Sequence, residues 1–323
     1  MALQTRKQSI LIETESSYND STTPNGQDAV LVTELSVSPI ASDVITRDYI
    51  RPYLGASEQL LANSKVEVSF SVELVGSGTA GTAPGYSKAL LACGLDETKT
   101  PSNSPNTVTY APVSAAFSSI AMFVEIGGSE NNENILHKIR GCRGNVALEA
   151  AVGEIPKLNF SFTGIYESPI NLNSMSTPTY DDQPTPLIFN ALNTSGFSIH
   201  GHQAGLNSLS MDLGNSIVYR EVIGNTSTKE VLLTDRATNG SVVIDAVKPG
   251  VKNFFSAAQA DGTLGALSFL HGTTNGNKVQ LSSTRADLGD ISYGDSNGIL
   301  TMEIPYTLVP SASGNDEFSL VYT

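Results

Sequence analysis

Strict alternation of apolar and polar residues is the feature that most limits the folds open to this chain. In residues 65–75, valine, phenylalanine and leucine take every second position, and lysine, serine and glutamate take most of the others. The same period of two occurs in KLNFSFTGIY (157–166) and ILTMEIPYTL (299–308). This pattern is typical of antiparallel strands that bury one face and leave the other in water. The sequence therefore predicts a mainly β protein.

An internal repeat adds a second constraint. Residues 239–262 reproduce the order of elements in residues 63–94: an asparagine, an alternating strand, a Pro-Gly pair, a short helix and a glycine. Further along, a constant offset pairs Leu158 with Leu300 and Phe162 with Ile304. The repeat predicts two tandem units, each a small β-sandwich or partly rolled sheet with one short flanking α-helix.

The repeat also suggests how the chain is divided. We predict an N-terminal arm, a first unit, a linker rich in Pro, Ser, Thr and Asn, and a second unit (residues 1–29, 30–169, 170–205 and 206–323). In the first unit the helix is expected at residues 84–93, because proline favours a helix start and Gly94 a helix end.

A glycine-rich segment at Gly76–Gly81 matches the G-x-G-x-x-G pattern of dinucleotide-binding proteins. In those proteins the helix begins inside the motif, so that its N–H groups face the pyrophosphate. Here Pro84 delays the helix, and the preceding strand has one polar face, unlike the doubly covered strand of such folds. The second repeat lacks the motif. We therefore predict a flexible surface loop without a nucleotide, one that tolerates shortening between Val75 and Thr82.

Charge is sparse but one-sided. Asp and Glu number 32 against 18 Lys and Arg, which gives a net charge of −14. Such a surface repels phosphate and lacks the basic patch with which proteins grip nucleic acid. No apolar run is long enough to cross a membrane, and the N-terminus lacks a secretory pattern. We expect synthesis in the cytoplasm, with Cys93 and Cys142 as reduced thiols.

Candidate chemical sites are few. His200 and His202 are spaced to share one face of a strand, but no third ligand lies nearby, so the pair favours a strand edge over a metal site. Arg143 beside Cys142 is compatible with a lowered thiol pKa, but no histidine partner is identifiable. The cluster 294–298 suits a polar hairpin turn better than a calcium loop. We expect no enzyme activity and no cofactor or metal.

Several stretches resemble the major tail tube proteins of long-tailed (siphovirus-like) bacteriophages, in particular the larger type in which the tube domain occurs twice. The resemblance rests on degenerate patterns that cover most of the chain from about residue 30: ALLACGL (89–95), HKIRGCRGNVAL (137–148), GEIPKLNFSFTGIY (153–166), SLSMDLGNSIVYRE (208–221), LLTDRATNGSVVIDA (232–246) and GNDEFSLVYT (314–323).

The resemblance implies a structural protein of the virion tail. Its sheets would join those of neighbouring copies into rings, and the rings would stack into a conduit for double-stranded DNA. Two domains per chain imply homotrimeric, pseudo-hexameric rings, with the tape measure, tail terminator and tip proteins as further partners. The long loops expected at residues 39–64 and 214–240 would reach the adjacent ring, with contact residues Arg47, Asp48, Ile50, Arg220, Glu221 and Ile223.

Three carboxylates are candidates for the wall of such a channel: Glu67, Glu73 and Asp245. Acidic groups would keep DNA mobile, because each phosphate neutralised by Lys or Arg adds affinity. Alternation shows which residues share a face, but leaves open whether that face looks into the channel. The alternative function is a two-domain β protein for adhesion, carbohydrate binding or virion decoration. The absence of Trp weighs against it.

Overall fold

The computed structural model describes residues 2–100, 106–130, 133–224, 228–260 and 262–323. Within them the chain is mainly β, as the alternation predicted. The strands are β1 Leu3–Thr14, β2 Ala29–Val30, β3 Thr33–Thr46, β4 Gln59–Glu73, β5 Leu95–Thr100, β6 Thr107–Pro112, β7 Ile120–Gly128, β8 Asn134–Ala151, β9 Lys157–Ile165, β10 Ile170–Leu172, β11 Thr194–Ile199, β12 Leu206–Asp212, β13 Asn215–Val222, β14 Thr228–Arg236, β15 Asn239–Asp245, β16 Gly265–His271, β17 Val279–Leu288, β18 Ser292–Ser296, β19 Ile299–Leu308 and β20 Ser319–Tyr322. Two helices, α1 Ser87–Ala92 and α2 Phe254–Gln259, follow β4 and β15.

One antiparallel sheet runs through both repeats. Its order is β3-β4-β9-β8 in the first repeat and β12-β15-β19 in the second. On the other side of β19, β18 pairs with residues 299–303 and β17 pairs with residues 306–308. The repeats meet where β12 pairs with the C-terminal half of β8, Ser210 opposite Glu149. The same order of pairing therefore occurs twice, edge to edge.

A second layer shows the same correspondence. The N-terminal half of β8 pairs with β7, which pairs with β1. Likewise β17 pairs with β16, which pairs with β11. Strands β1 and β11 thus take equivalent places, although the first lies in the predicted arm and the second in the predicted linker.

The buried side chains form one large cluster that draws on both repeats. Phe70, Phe160 and Phe162 stack with ring centroids 5.4–5.9 Å apart on the covered face of the first repeat. The hydroxyl groups of Tyr86 and Tyr322 lie 3.1 Å apart, which connects α1 to the C-terminal strand. The two units therefore share a core.

The glycine-rich segment packs tightly, contrary to the prediction of a flexible surface loop. The N–H of Gly76 donates to the Asn277 side chain at 2.9 Å, and the N–H of Gly78 donates to the Gly276 carbonyl at 2.9 Å. A Cβ on Gly76 would lie 2.1 Å from the Gly276 oxygen. The glycines therefore allow two backbones from different repeats to approach closely.

Replacing Gly76 with alanine is expected to destabilise the protein by about 1–3 kcal/mol, because the added methyl group overlaps a backbone that cannot easily move. The check is the free energy of unfolding in urea. Gly250→Ala is the matched control, since a Cβ there meets no atom within 4 Å, and its effect should stay within about 0.5 kcal/mol. Equal effects at both positions would contradict this account of the contact. Because Gly76 packs tightly, we expect shortening between Val75 and Thr82 to reduce stability, contrary to the prediction from the sequence.

The two expected long loops are largely β-hairpins instead. Hairpin 1 consists of β3, β4 and the connection at residues 47–58, and hairpin 2 of β13 and β14. Both strands of hairpin 1 carry β-branched or leucine side chains near the tip, at 44–45 and 60–61, and such residues favour extended backbone. The register of hairpin 1 shifts at residues 41–43, opposite Asn63, which adopts a left-handed φ of 52°.

Candidate functional site

A continuous polar face lies on the side of the large sheet opposite the core. In β4 from Val66 onward the apolar side chains are buried, whereas Glu67 and Ser69 are exposed. Because residues opposite each other in antiparallel strands share a face, the register defines the rest. We call the following set the polar face: Lys65, Glu67, Ser69, Ser71, Glu73, Arg143, Asn145, Ala147, Glu149, Ala151, Lys157, Asn159, Ser161, Thr163, Ser208, Ser210, Asp212, Asn239, Ser241, Val243, Asp245, Thr301, Glu303, Pro305 and Thr307.

The polar face is acidic. It carries six carboxylates, two lysines and one arginine. Carboxylates flank both lysines, and Arg143 donates to the carbonyl groups of Phe117, Ser118 and Val231. Lys65 is 2.9 Å from Glu67, and Lys157 is 3.3 Å from Glu34, a β3 residue that reaches over the face. A hydrogen bond from Ser71 and, after it, the same lysine lower the pKa of Glu34. Carboxylates therefore set the net charge of this surface.

All three candidate channel residues lie on this one face. Glu67 and Asp245 are exposed and Glu73 is half-buried. Asp245 accepts a hydrogen bond from the Asn207 side chain at 3.0 Å. Four strand spacings, about 19 Å, separate β4 from β15 across the sheet. The register places Ser241 level with Glu73, so Asp245 lies four residues further along its strand and Glu67 lies six residues before that level.

Hairpin 1 has an unusually apolar exposed surface. Arg47 forms an ion pair with Glu58 at 3.0 Å, Asp48 is exposed, and Ile50 at the tip is fully exposed. Nine large apolar side chains of this hairpin stand in solvent: Ile40, Val44, Ile45, Tyr49, Ile50, Tyr53, Leu54, Leu60 and Leu61. An apolar patch of this kind marks an interaction site. Ile50 was predicted as a contact residue and the other eight were not, although the apolar pairs Val44-Ile45 and Leu60-Leu61 are visible in the sequence.

Hairpin 2 is more polar. Arg220 lies 3.9 Å from Glu230, and Lys229 lies 3.7 Å from Glu221. Ile223 near its tip is almost fully exposed. The six residues predicted to contact an adjacent ring thus lie in two hairpins, one apolar and one paired by charge.

The histidine pair does not form a metal site. His200 is buried, and its Nε2 lies 2.8 Å from the Ala286 carbonyl, whereas His202 packs its ring against Phe254 at 5.8 Å. In the part of the chain that the structure describes, no three His, Cys, Asp or Glu side chains are placed to hold a metal ion. Cys93 and Cys142 are both free and fully buried, and burial raises the pKa of each thiol.

Buried histidines make stability depend on pH. Burial lowers the pKa of both His200 and His271, so the unfolded chain takes up protons below about pH 6.5 that the folded chain does not. We expect the free energy of unfolding to be highest above pH 6.5 and to decrease between pH 7.5 and 5.5, as measured in urea. His271→Gln should reduce that decrease. An unchanged pH dependence in this variant would show that His271 does not contribute.

Comparison with known proteins gives one clear result. A family model described as "Phage tail tube protein" matches residues 5–308, nearly the whole chain. A search of curated proteins found no significant match. Across the described residues, no helix has the length and apolar character needed to span a membrane.

Proposed function

The chain belongs to the phage tail tube protein family, and from this premise we propose that three copies close into a ring and that the rings stack into the conduit for double-stranded DNA. Family membership makes the chain a structural component of the virion tail. The observation that carries the proposal is the β8–β12 pairing, which joins two equivalent sheets edge to edge within one chain.

Ring closure would repeat that pairing between chains. Among the described residues, β3 pairs with β4 alone and β18 with β19 alone, so each leaves one edge unpaired. When the two repeats are compared, β3 is equivalent to β12. Strand β18 pairs with β19 at the position that the C-terminal half of β8 takes beside β9. The outer edge of β18 is therefore matched to β3 of the next chain, and closure removes both exposed edges.

Geometry supports three chains per ring. Each chain contributes about eight strand positions to the sheet, so three chains give roughly 24, and a spacing of ~4.8 Å gives a circumference of ~115 Å and a diameter of ~37 Å between backbones. Strand tilt widens this somewhat. A duplex fits in such a bore with side chains present, whereas six chains would double its width.

The same size favours the polar face as the channel wall. The opposite face is covered by a second layer, and packed sheets lie about 10 Å apart. Six such layers, two from each chain, cannot fit inside a closed sheet ~37 Å wide. We therefore propose that the second layer lies outside, with Glu67, Glu73 and Asp245 on the inner wall, where they would repel phosphate.

The remaining partners follow from the family. We propose that the tape measure protein occupies the bore during assembly, that the tail terminator and tip proteins bind the two ends of the stack, and that the tail is of the siphovirus-like type. DNA would pass through during ejection without specific binding.

Electron microscopy of the purified protein tests this function. We expect rings with three chains of 34.0 kDa each, pseudo-sixfold in projection, and stacked tubes after concentration. Rings of six chains would contradict the tandem arrangement. A monomer that never assembles would contradict the tube function itself.

Reversing the charge of the three candidate channel residues should create affinity for DNA. The variant with Lys at positions 67, 73 and 245 replaces three repulsive groups per chain with attractive ones, and we expect its tubes to bind duplex DNA with strong salt dependence. In particles, genome delivery should be slowed or incomplete. Binding of labelled duplex to isolated tubes is the measurement.

Two control variants accompany this test. Gln at the same three positions should leave the tubes without DNA affinity. Lys at Glu130, Asp181 and Asp182, which are exposed outside the polar face, should also have no effect on delivery. Normal delivery by particles assembled from the first variant would place Glu67, Glu73 and Asp245 outside the channel.

A further inference from the structure

The tip of hairpin 1 and the Glu73 end of β4 lie at opposite ends of the sheet, so the tip cannot reach the Glu73 end of its own chain. The tip, at residues 47–58, follows one end of the sheet, and Glu73 marks the other end of the 15-residue β4. Fifteen residues of strand span roughly 50 Å. A site at the Glu73 end can therefore receive this tip only from a second copy of the chain.

The Glu73 end carries an apolar recess. It is lined by Val152, Phe189, Phe197, Ala204 and Leu206, where the β8–β9 turn meets the start of β12. The Gly153 N–H donates to the Phe189 carbonyl at 2.9 Å, and the Phe189 N–H donates to the Glu154 carbonyl at 2.8 Å. These bonds hold the walls of the recess in place without a bound partner.

Charge at the tip complements charge at the recess. Arg51 donates to the Ser57 hydroxyl at 3.2 Å and stacks against Tyr49 and Tyr53, at 5.3 and 5.9 Å from the ring centres. The recess has Asp245 in its lining and exposed Glu154 beside Phe189. The tip has no net charge, because Asp48 and Glu58 balance its two arginines, but Glu58 pairs with Arg47. Arg51 is thus the tip's cation for the acidic neighbours of the recess.

Resting on the proposed tube function, we infer that the hairpin 1 tip of one copy inserts Leu54 into the recess of a copy in the adjacent ring, with Arg51 beside Glu154. The tip and the recess are different surfaces at opposite ends, so the contact is head-to-tail and can repeat without limit. Hairpin 2, with its ion pairs, is not the segment that fills this recess.

Disulfide trapping tests the contact. Leu54 and Val152 are both exposed, so Leu54→Cys with Val152→Cys leaves the core intact, and the two native cysteines are buried. After oxidation of tubes and denaturation without reductant, we expect a ladder of multimers, because each chain carries one tip and one recess. Each single variant should give dimers at most. Leu54→Cys with Ile299→Cys is the matched control, since Ile299 is an equally exposed apolar residue at the same end of the second repeat.

Charge exchange gives a second readout. Arg51→Glu should reduce tube formation at least tenfold while rings persist, and adding Glu154→Arg should restore it. Tubes that assemble normally but give no ladder, or give one with Ile299→Cys instead, would overturn the recess assignment and leave the tube function standing. A wild-type protein that forms neither rings nor tubes would overturn both.

Discussion

Proline on the outer edge of β3 is expected to abolish ring formation while the chain still folds. Val37 and Ser38 are consecutive, so one N–H points towards β4 and the other points outward, to where a neighbouring β18 would pair. Proline lacks the N–H, and in sheets it is tolerated at an edge whose N–H faces solvent. We expect Val37→Pro and Ser38→Pro to differ. One should unfold more easily, and the other should stay folded but remain a monomer. Thermal melts and sedimentation measure the two properties.

The control for this prediction lies on β10, a short strand outside the large sheet that pairs with the start of β8. Proline at Ile170, an exposed residue of β10, should leave assembly intact. If both β3 variants form rings as the wild type does, the closing edge lies elsewhere.

Loss of the Arg236–Glu317 ion pair should cause the largest change in stability of any single substitution considered. The two side chains are nearly buried, with 9% of each exposed, and the nitrogen and oxygen atoms lie 2.7 Å apart. Arg236 also donates to the Val113 carbonyl at 2.8 Å. Arg236→Met leaves a buried carboxylate without its cation, a change that costs about 3–5 kcal/mol. Urea unfolding measures it.

A double-mutant cycle separates the charge from the packing. Arg236→Met combined with Glu317→Gln removes both charges, and we expect this double variant to be more stable than Arg236→Met alone. If the double variant loses the sum of the two single effects, the carboxylate does not depend on Arg236 and the prediction is wrong.

The sequence predicted the sheet best where a strand buries one face only. Residues 157–166 and 299–308 lie between the core and water, so their alternation survives in the sequence and gives the right strands, and the prediction of a mainly β fold with two short helices is confirmed. The family resemblance is confirmed as well.

The hairpins were harder to predict because many of their apolar side chains lie in solvent. Exposed residues such as Ile45 and Leu60 lie on strands without a covered face, so no period of two separates inside from outside. The prediction of a flexible loop at Gly76 was wrong for another reason. The turn that contacts it, around Gly276, lies 200 residues away in the sequence, and a contact so distant cannot be predicted from the local sequence pattern.

The β8–β12 junction has a kinetic consequence. A ring built from six separate units must bring six bodies together, and each seam forms at a rate that depends on concentration. In the proposed ring of three chains, half of the seams would close inside a chain as it folds, at an effective concentration set by residues 170–205 rather than by expression level. Translational and rotational entropy would then be lost for three bodies instead of six. A tail made this way would begin to grow at lower protein concentrations, and no incomplete ring would contain an odd number of units.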